Sequence, residues 1–273
     1  MCVVLGVSRS GYYYWRKELK GCLKTQDLDE KIKEVFEKSR QTYGSPRIHK
    51  ALKKNGVEVS ESKVSRRMKA LGITPKIKKK FKVTTDSNHD ELIAPNILDR
   101  AFNPAETGRV WVSDITYIRV RHTFVYLTTV IDLADRCVVG WSVSDNMTDT
   151  DTIIAAFKKA LTNRTIEPGL IFHSDRGSQY VSQEFRRLLE ESQCIQSMSR
   201  KGNCWDNAVA ESFFKTIKTE SLYRYKFETM NQVYSTVFDY IDGWYNTMRI
   251  HTSLGDRSPK EMYSYLNAHK SAA

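Results

Sequence analysis

The segment VWVSDITYIRV at residues 110–120 carries the pattern on which the fold depends. Its Val, Ile, Trp, Tyr and Thr residues are typical of a β-strand, in which Asp is depleted. Asp114 therefore stands inside a segment otherwise suited to burial, and a buried carboxylate must be paired or coordinate something. Taken alone, Asp114 is explained equally well by a hydrogen bond to neighbouring backbone or a salt bridge to an arginine.

The residues that follow continue as strands and then alternate between helix and strand. The joining segments 121–122 and 132–136 are short enough for antiparallel hairpins. We predict strands at residues 109–120, 123–131, 137–144, 169–172 and 195–198, with helices around Ile153, around Phe185 and from about Asn207. Three antiparallel strands followed by this alternation predict a mixed-sheet α/β core.

A second aspartate comes directly after a short apolar strand. Asp175 lies in the run HSDRGSQY at residues 173–180, where Gly177 allows a tight turn. Binding residues of α/β sheets gather where strands end, which favours a functional role for Asp175. A simple turn-forming Asp before Arg-Gly explains the same residue when it is considered by itself.

The third acidic residue, Glu211, lies on the helix predicted from Asn207. Asn207, Glu211, Lys215 and Lys218 fall at i, i+4, i+8 and i+11 and so share one helix face. An exposed Glu with a lysine four residues later is common on helices, so Glu211 is informative only together with the two aspartates.

Together, the three carboxylates predict a metal site. Carboxylate oxygens suit Mg²⁺ or Mn²⁺, and Asp114, Asp175 and Glu211 on three separate elements can hold two ions about 4 Å apart. Such a pair of ions supports in-line displacement at phosphorus, and we expect the three side chains to converge on one site. Lys215 and Lys218 would then hold a DNA backbone near the metal ions.

The positive charge of the chain is concentrated in its first third. Residues 1–85 hold 22 Lys and Arg against 8 Asp and Glu, whereas residues 86–273 hold 21 against 24. A local balance of +14 favours binding to a polyanion, since each phosphate neutralised releases counterions. A merely solvated basic face is the alternative.

The basic third is predicted to be helical. An apolar stripe follows Asp27, and two short helices, the first starting at Ser45-Pro46 and the second at Ser60, suggest a helix-turn-helix with a long connection. The second helix carries Lys63, Arg66 and Arg67, which we expect to contact DNA. Residues 76–82 contain five lysines and can serve either as phosphate ligands or as a linker. We place the helix-turn-helix-like domain at 1–85, a linker at 86–100 and the catalytic core with a helical extension at 101–273.

The composition excludes several other classes of protein. No stretch approaches the roughly 18 apolar residues of a membrane span, and five cysteines without a CxxC pair predict neither a disulfide framework nor a zinc site. We therefore expect a cytoplasmic protein with no membrane partner.

Several motifs, in order along the chain, resemble those of the IS-three family of bacterial insertion-sequence transposases, specifically the product of their second reading frame. Asp175 and Glu211 are separated by 35 residues, as in that family, and Lys218 stands seven residues after Glu211, where the family has a basic residue. The matching segments are WVSDITY at 111–117, HSDRGSQY at 173–180, SRKGNCWDNA at 199–208 and ESFF at 211–214, with LGVSRSGYY at 5–13, YGSPRI at 43–48, Tyr245-Asn246, Arg249, His251, Leu254-Gly255 and Ser258-Pro259.

The resemblance implies an RNase H-like core similar to retroviral integrase, with Asp114, Asp175 and Glu211 as catalytic residues and metal ligands. It also implies action on transposon ends and target DNA at the bacterial nucleoid, as a homo-oligomer, with fusion to or association with the product of an upstream reading frame. Met248 and Asp256 depart from the family, which often has a basic and an aromatic residue there. The contribution of that C-terminal segment to DNA contact is therefore left open.

Two other functions remain open at this point. A stand-alone nuclease on the same fold would use the same carboxylates but would hydrolyse DNA without joining it. A non-catalytic DNA-binding regulator would use only the basic first third. A metal-dependence assay on branched or nicked DNA separates all three.

Overall fold

In the computed structural model, which describes residues 6–77, 93–200 and 203–270, the chain divides into two units, Met1–Ile77 and Lys78–Ala273. The lysines at 78, 79, 80 and 82 and positions 86–92 of the expected linker lie outside the described residues.

The first unit consists of helices α1 (Arg9–Lys38), α2 (Ser45–Lys54) and α3 (Glu61–Ala70). The predicted apolar stripe of α1 is buried, but this helix begins at Arg9 rather than near Asp27. The Ser8 hydroxyl caps it by accepting a hydrogen bond from the Gly11 amide at 3.0 Å. These three helices confirm the expected all-α organisation of the N-terminal region.

The two short helices begin and end close to their predicted positions. Gly44 is the N-cap of α2, with Pro46 in the first turn, and the Ser60 hydroxyl caps α3. Gly72 follows α3 with a φ of +66°, a conformation that glycine adopts without strain. The connection from 55 to 60 is longer than that of a tight helix-turn-helix.

The second unit is built on a five-stranded sheet with the order β3-β2-β1-β4-β5. Its strands are β1 (Val110–Val120), β2 (Thr123–Asp132), β3 (Val138–Ser144), β4 (Ile171–Ser174) and β5 (Ile195–Met198). The first three strands are antiparallel, and β4 and β5 run parallel to β1. The prediction of a mixed sheet is thus confirmed, although β4 begins and ends two residues later than expected.

Helices surround the sheet and cover its apolar surface. They are α4 (Ala155–Asn163), α5 (Ser178–Val181), α6 (Gln183–Glu191), α7 (Ala208–Glu220), α8 (Met230–Tyr240), α9 (Asn246–Met248) and α10 (Pro259–Lys270). A π-helical turn, Thr150–Ile154, leads into α4, and another, Ile241–Tyr245, leads out of α8. No helix within the described ranges is long and apolar enough to cross a membrane.

An aromatic cluster forms the core between the sheet and helices α4 and α6. Trp111 of β1, Phe172 of β4, Phe157 of α4 and Phe185 of α6 are all fully buried. The ring centroids of Phe157 and Phe172 lie 5.4 Å apart, and those of Phe172 and Phe185 lie 5.3 Å apart, in edge-to-face arrangements. Strands β1 and β4 are therefore packed against α4 and α6 by interlocking aromatic rings.

Helix α4 lies very close to β3 at Gly140. A Cβ atom at this position would lie 2.1 Å from the main-chain oxygen of Ala156 and 2.8 Å from the Cβ of Ala160. Both distances are too short for non-bonded atoms, so only glycine permits this helix–sheet approach.

Candidate active site

Asp114 lies in β1, and Asp175 directly follows the neighbouring parallel strand β4. Val112 of β1 is paired with His173 of β4. Each aspartate stands two residues beyond that pair, and neighbouring strands lie about 4.8 Å apart. The register alone therefore brings these two carboxylates side by side at one edge of the parallel part of the sheet.

Main-chain amides orient both aspartate side chains. The Ile115 amide donates to Oδ1 of Asp114 at 2.8 Å, and the Gly177 amide donates to Oδ1 of Asp175 at 2.9 Å. A Cβ at Gly177 would approach Oδ1 of Asp175 to 3.2 Å, which is tighter than ordinary contact. The glycine predicted for the turn thus also makes room for the carboxylate.

Helix α7 carries Glu211 over the face of β1 that bears Asp114. The Asn207 side chain, at the N-cap of α7, donates from Nδ2 to the main-chain oxygen of Ser113 at 3.0 Å. Farther along the helix, the Lys218 ammonium donates to the Thr116 hydroxyl. Since Asp114 and Thr116 alternate onto the same face of β1, these two contacts fix α7 above Asp114.

The carboxylates perturb one another electrostatically. Burial raises the pKa of Asp114 well above its usual range, and the negative charges of Asp175 and Glu211 raise it further. The pKa of Glu211 is also raised, first by partial desolvation and then by Asp175. The Lys218 ammonium opposes the shift at Asp114, and burial lowers the pKa of Lys218 itself. The site therefore concentrates negative charge that its own cation only partly offsets.

This negative charge suits a divalent cation, although the three carboxylates are not close enough together to surround one. Nowhere in residues 6–77, 93–200 and 203–270 are three or more His, Cys, Asp or Glu side chains gathered closely enough to hold a metal ion. Asp114 and Asp175 are half-buried, whereas Glu211 is exposed on its helix. The donor set is entirely carboxylate oxygen, which Mg²⁺ and Mn²⁺ prefer, and the raised pKa values show that added positive charge would stabilise it.

Buried polar residues of β4, of β5 and of the position after β5 lie next to Asp175 along the chain and across the sheet. The ring nitrogens of His173 lie 2.9 Å from the Ser197 hydroxyl and 3.2 Å from the Ser199 hydroxyl. Burial lowers the pKa of His173 to about 4, so this histidine is neutral at physiological pH. His173 therefore connects β4 to β5 and to the residue that follows β5.

The C-terminal segment supports α7 from its other end. Arg249 donates to both carboxylate oxygens of Glu220, from Nε at 3.0 Å and from Nη2 at 2.8 Å, and the Tyr240 hydroxyl donates to the same group at 2.7 Å. The Tyr245 ring packs edge-to-face on Phe213 with a centroid distance of 4.9 Å. Tyr245 and Arg249, singled out in the C-terminal motif, thus hold the helix that bears Glu211.

The residues predicted to bind DNA differ in exposure. Lys215, Lys63 and Arg66 are exposed. Arg67 is engaged within the first unit, where its guanidinium donates to both carboxylate oxygens of Asp29, from Nε at 2.7 Å and from Nη2 at 2.5 Å. Lys218 is half-buried, with its ammonium 5.3 Å from the centre of the Tyr117 ring.

Sequence reasoning missed the residues that position this site. Asn207 was placed on the helix face of Glu211, but its bond to Ser113 joins residues 94 positions apart. The Ser113 and Tyr180 hydroxyls, 2.9 Å apart, likewise connect β1 to the helix after Asp175. No local pattern marks such pairs, although Asn at a helix N-cap was a usable signal for Asn207.

This arrangement, with aspartates on adjacent strands and a glutamate on the covering helix, defines the integrase-type class of phosphoryl-transfer cores. The integrase core domain family matches residues 104–204 and, in a second description, residues 192–259. An HTH-like domain family matches residues 24–81. Both results agree with the architecture expected from the sequence.

The chain belongs to the IS-three family of insertion-sequence transposases. It is 40% identical to the insertion element IS600 uncharacterized 31 kDa protein of Shigella sonnei, over 98% of this chain and 100% of that protein. It is 34% identical to transposase InsF for insertion sequence IS3A of Escherichia coli K12, over 96% of this chain and 92% of that protein.

A solved structure supports the fold alone. A chain in the cryo-EM structure of the simian T-cell lymphotropic virus intasome in complex with PP2A regulatory subunit B56 gamma has a TM-score of 0.50 and 15% identity. The likeness covers 78% of this chain and 69% of that chain.

Proposed function

We propose that this protein is a DDE-type DNA transposase that cleaves and transfers the strands of an insertion sequence, with Asp114, Asp175 and Glu211 as its catalytic carboxylates. The observation that carries the proposal is the register of β1 and β4, which sets the two aspartates side by side beneath the helix of Glu211. Family membership supports the same reaction.

The three carboxylates would hold divalent metal ions, Mg²⁺ or Mn²⁺, and we propose two of them. When bound, such ions activate a water molecule or a 3′-hydroxyl group as nucleophile and stabilise the leaving oxygen at phosphorus. Asp114 and Asp175 supply the fixed part of the ligand set, because main-chain amides already orient them. Glu211, exposed at the rim, completes the set by turning toward them.

The cationic side chains of α7 have separate roles. Lys218 donates to Thr116 and lowers the charge repulsion at Asp114. Lys215 is exposed one turn after Glu211 and is placed to contact a DNA phosphate. We propose that Lys218 contacts DNA when metal ions are bound. The metal ions would then neutralise the Asp114 carboxylate in place of the Lys218 ammonium.

The N-terminal residues would supply most of the general affinity for DNA. Lys63 and Arg66 are exposed on α3, and Arg67 contributes to the same surface while paired with Asp29. We propose functional boundaries at 1–85 for DNA binding, 86–100 for the linker and 101–273 for catalysis. The +14 balance of residues 1–85 supports this division of labour.

The remaining parts of the proposal concern assembly and location. Joining two transposon ends to one target requires more than one active site, which favours a homo-oligomer on DNA. The family resemblance favours fusion to or association with the upstream reading-frame product. Since the substrate is DNA, we place the protein in the bacterial cytoplasm at the nucleoid.

A strand-transfer assay tests the function directly. The full chain is incubated with labelled duplex, nicked duplex and supercoiled plasmid, with Mg²⁺, with Mn²⁺ or with a chelator. We expect joined products only with metal, and none from Asp114→Asn, Asp175→Asn or Glu211→Gln. The exposed Glu167, far from α7 in sequence, provides the matched control Glu167→Gln, which should remain active.

The alternatives give different products. Metal-dependent cleavage without joined products, with or without the upstream reading-frame product present, would indicate the stand-alone nuclease. Binding to DNA with no cleavage under any of these conditions would indicate the regulator. Cleavage that persists in Asp175→Asn would contradict the assignment of the carboxylates.

A further inference from the structure

Trp205 is the most exposed large apolar side chain in the part of the chain that the structure describes, with 68% of its surface accessible. A single exposed aromatic residue has no significance by itself. Trp205 is unusual because its neighbours on the C-terminal side, Asp206 and Asn207, are both buried. The chain thus turns one large ring outward directly before two buried residues.

That turn, the 3₁₀ helix Cys204–Asn207, is tightly anchored. The Asp206 carboxylate is fully buried and accepts hydrogen bonds from the side chains of Arg200, Arg100 and Asn96, and from the Arg200 amide. The hydrogen bonds from Arg200 hold the pKa of Asp206 far below its usual range. The Trp205 amide itself donates to the Asn203 side-chain oxygen at 3.3 Å. These hydrogen bonds anchor the turn on both sides of Trp205.

The anchored turn also lies at the catalytic carboxylates. Asn207, two residues after Trp205, donates to the main-chain oxygen of Ser113, the residue before Asp114. Helix α7 starts at the next residue and carries Glu211 in its first turn. The Trp205 indole thus lies on an anchored turn, at the edge of the site in which a DNA strand would be cut.

The surroundings of Trp205 favour a nucleotide over a protein surface. The guanidinium groups of Arg100 and Arg200 flank the turn, and their side chains are 44% and 49% exposed. Arg100 donates from Nε to Asp206 and from Nη2 to Asn203, and Arg200 donates from Nε and Nη2 to Asp206 while Nη2 also lies 3.3 Å from Asp99. These contacts use Nε and Nη2 of each guanidinium, which carries five N–H donors in all. A flat ring beside partly exposed cations is the arrangement by which proteins bind single-stranded nucleic acid, with bases on the ring and phosphates on the cations.

We infer that Trp205 stacks on an unpaired nucleobase of the DNA end held at Asp114, Asp175 and Glu211, and so fixes the cleaved strand in line with them. The inference rests on the proposed function, and it adds a binding residue to that site. Stacking does not depend on base identity, because every base has a π-face. Trp205 would thus favour frayed or single-stranded ends over paired DNA without reading their sequence.

The test compares two DNA probes on the full chain with Ca²⁺ as a metal that does not support cutting. One probe is a fully paired 30-mer duplex, and the other has the same duplex with a three-nucleotide single-stranded tail containing 2-aminopurine. We expect the wild type to bind the tailed probe about tenfold more tightly and to quench the 2-aminopurine, since one stacked base changes affinity about 5- to 150-fold. Trp205→Ala should remove both effects and leave binding to the paired duplex within twofold.

Two further variants make the result specific. Trp205→Phe retains a ring and should keep most of the preference for the tail. Phe238→Ala removes another exposed aromatic side chain, on α8, and should change neither readout.

Other outcomes overturn the inference. They are a Trp205→Ala protein that still prefers and quenches the tail, or one that loses affinity equally for both probes. Binding and quenching are measured without cleavage, so failure here leaves the strand-transfer assay intact. Conversely, absence of strand transfer with normal stacking would count against the proposed function alone.

Discussion

The side-chain amide of Asn207 donates a hydrogen bond of 3.0 Å to the main-chain oxygen of Ser113, the residue that precedes Asp114. Asn207 is the N-cap of α7, and Glu211 follows four residues later. This bond, together with that from Lys218 to Thr116, therefore holds the helix that carries Glu211 against the strand that carries Asp114.

Asn207→Ala should lower strand-transfer activity at least tenfold while DNA affinity and folding are retained. The physical reason is that a misplacement of about 1 Å at a reacting centre can cost 100-fold in rate. Strand-transfer rates and circular dichroism measure the two effects. Asn163→Ala removes a comparable bond, to the Val139 main-chain oxygen at 2.9 Å, and serves as the control. Equal activity of the two variants would contradict a positioning role for Asn207.

Divalent metal should raise the Tm of the wild type, and chelation should reverse the rise. Mg²⁺ or Mn²⁺ would relieve the repulsion that raises the pKa of Asp114 and Glu211. At ten times the Kd, mass action supplies about 1.4 kcal/mol, or about 3–5 °C for a unit of this size. Differential scanning fluorimetry of Asp114→Asn and Asp175→Asn should show little shift, whereas Glu167→Gln should behave as wild type. A full shift in Asp175→Asn would argue against its role as a ligand.

Gly140→Ala should destabilise the second unit by about 3 kcal/mol, at the upper end for overpacking. Its new methyl group would meet the Ala156 main-chain oxygen at 2.1 Å, so α4 would have to move off β3. Urea unfolding gives the free energy. Gly243→Ala is the matched control, because its nearest neighbour would be the Asp239 side chain at 3.4 Å and the residue is helical. Similar stabilities for both variants would refute the close helix–sheet contact.

Arg249→Met should cost about 3–5 kcal/mol of folding free energy, because it leaves the buried Glu220 carboxylate without its cation. Adding Glu220→Gln to that variant removes the stranded charge and should recover a large part of the loss. Chemical denaturation of the wild type, both single variants and the double variant gives the four unfolding free energies of a double-mutant cycle. Strictly additive losses would show that the two side chains do not interact.

Residues 1–85 should provide most of the non-specific DNA affinity and nearly all of its salt dependence. With a half-dozen phosphate contacts, the slope of log K against log salt should be near −5 on duplex DNA, at about −0.9 per contact. Titrations of residues 1–85, residues 100–273 and the full chain with one duplex measure it. If the catalytic portion alone binds as tightly and as steeply as the full chain, the charge argument fails.

The elements that follow a clear residue pattern were predictable from the sequence. Strands β1 to β3 are rich in β-branched and aromatic residues, and they form as expected. The end of β4 was misjudged because His173 and Ser174 are polar, yet Ser197 and Ser199 satisfy His173 inside the core. The start of α1 was missed because exposed aromatic residues in succession, Tyr12 to Trp15, show no helical period.

Motif and spacing single out the three carboxylates that we propose as catalytic, but they do not single out the residues that support the strand and helix carrying them. Glu220 and Arg249 are 29 residues apart, and each alone is an ordinary charged residue in sequence. Their pairing depends on the path of α8 and the turn after it, which only tertiary packing determines. A single sequence gives no indication of which distant polar residues pair in this way.

The buried ion pair between Glu220 and Arg249 can form only late during synthesis of the chain. A ribosome makes Asp114, Asp175 and Glu211 well before Tyr245 and Arg249, which pack on and pair with α7. Until those last residues leave the exit tunnel, the ion pair between Glu220 and Arg249 cannot form, and α7 lacks the contact with Tyr245. A nascent chain would therefore contain all three proposed catalytic carboxylates before the helix of Glu211 has its C-terminal supports.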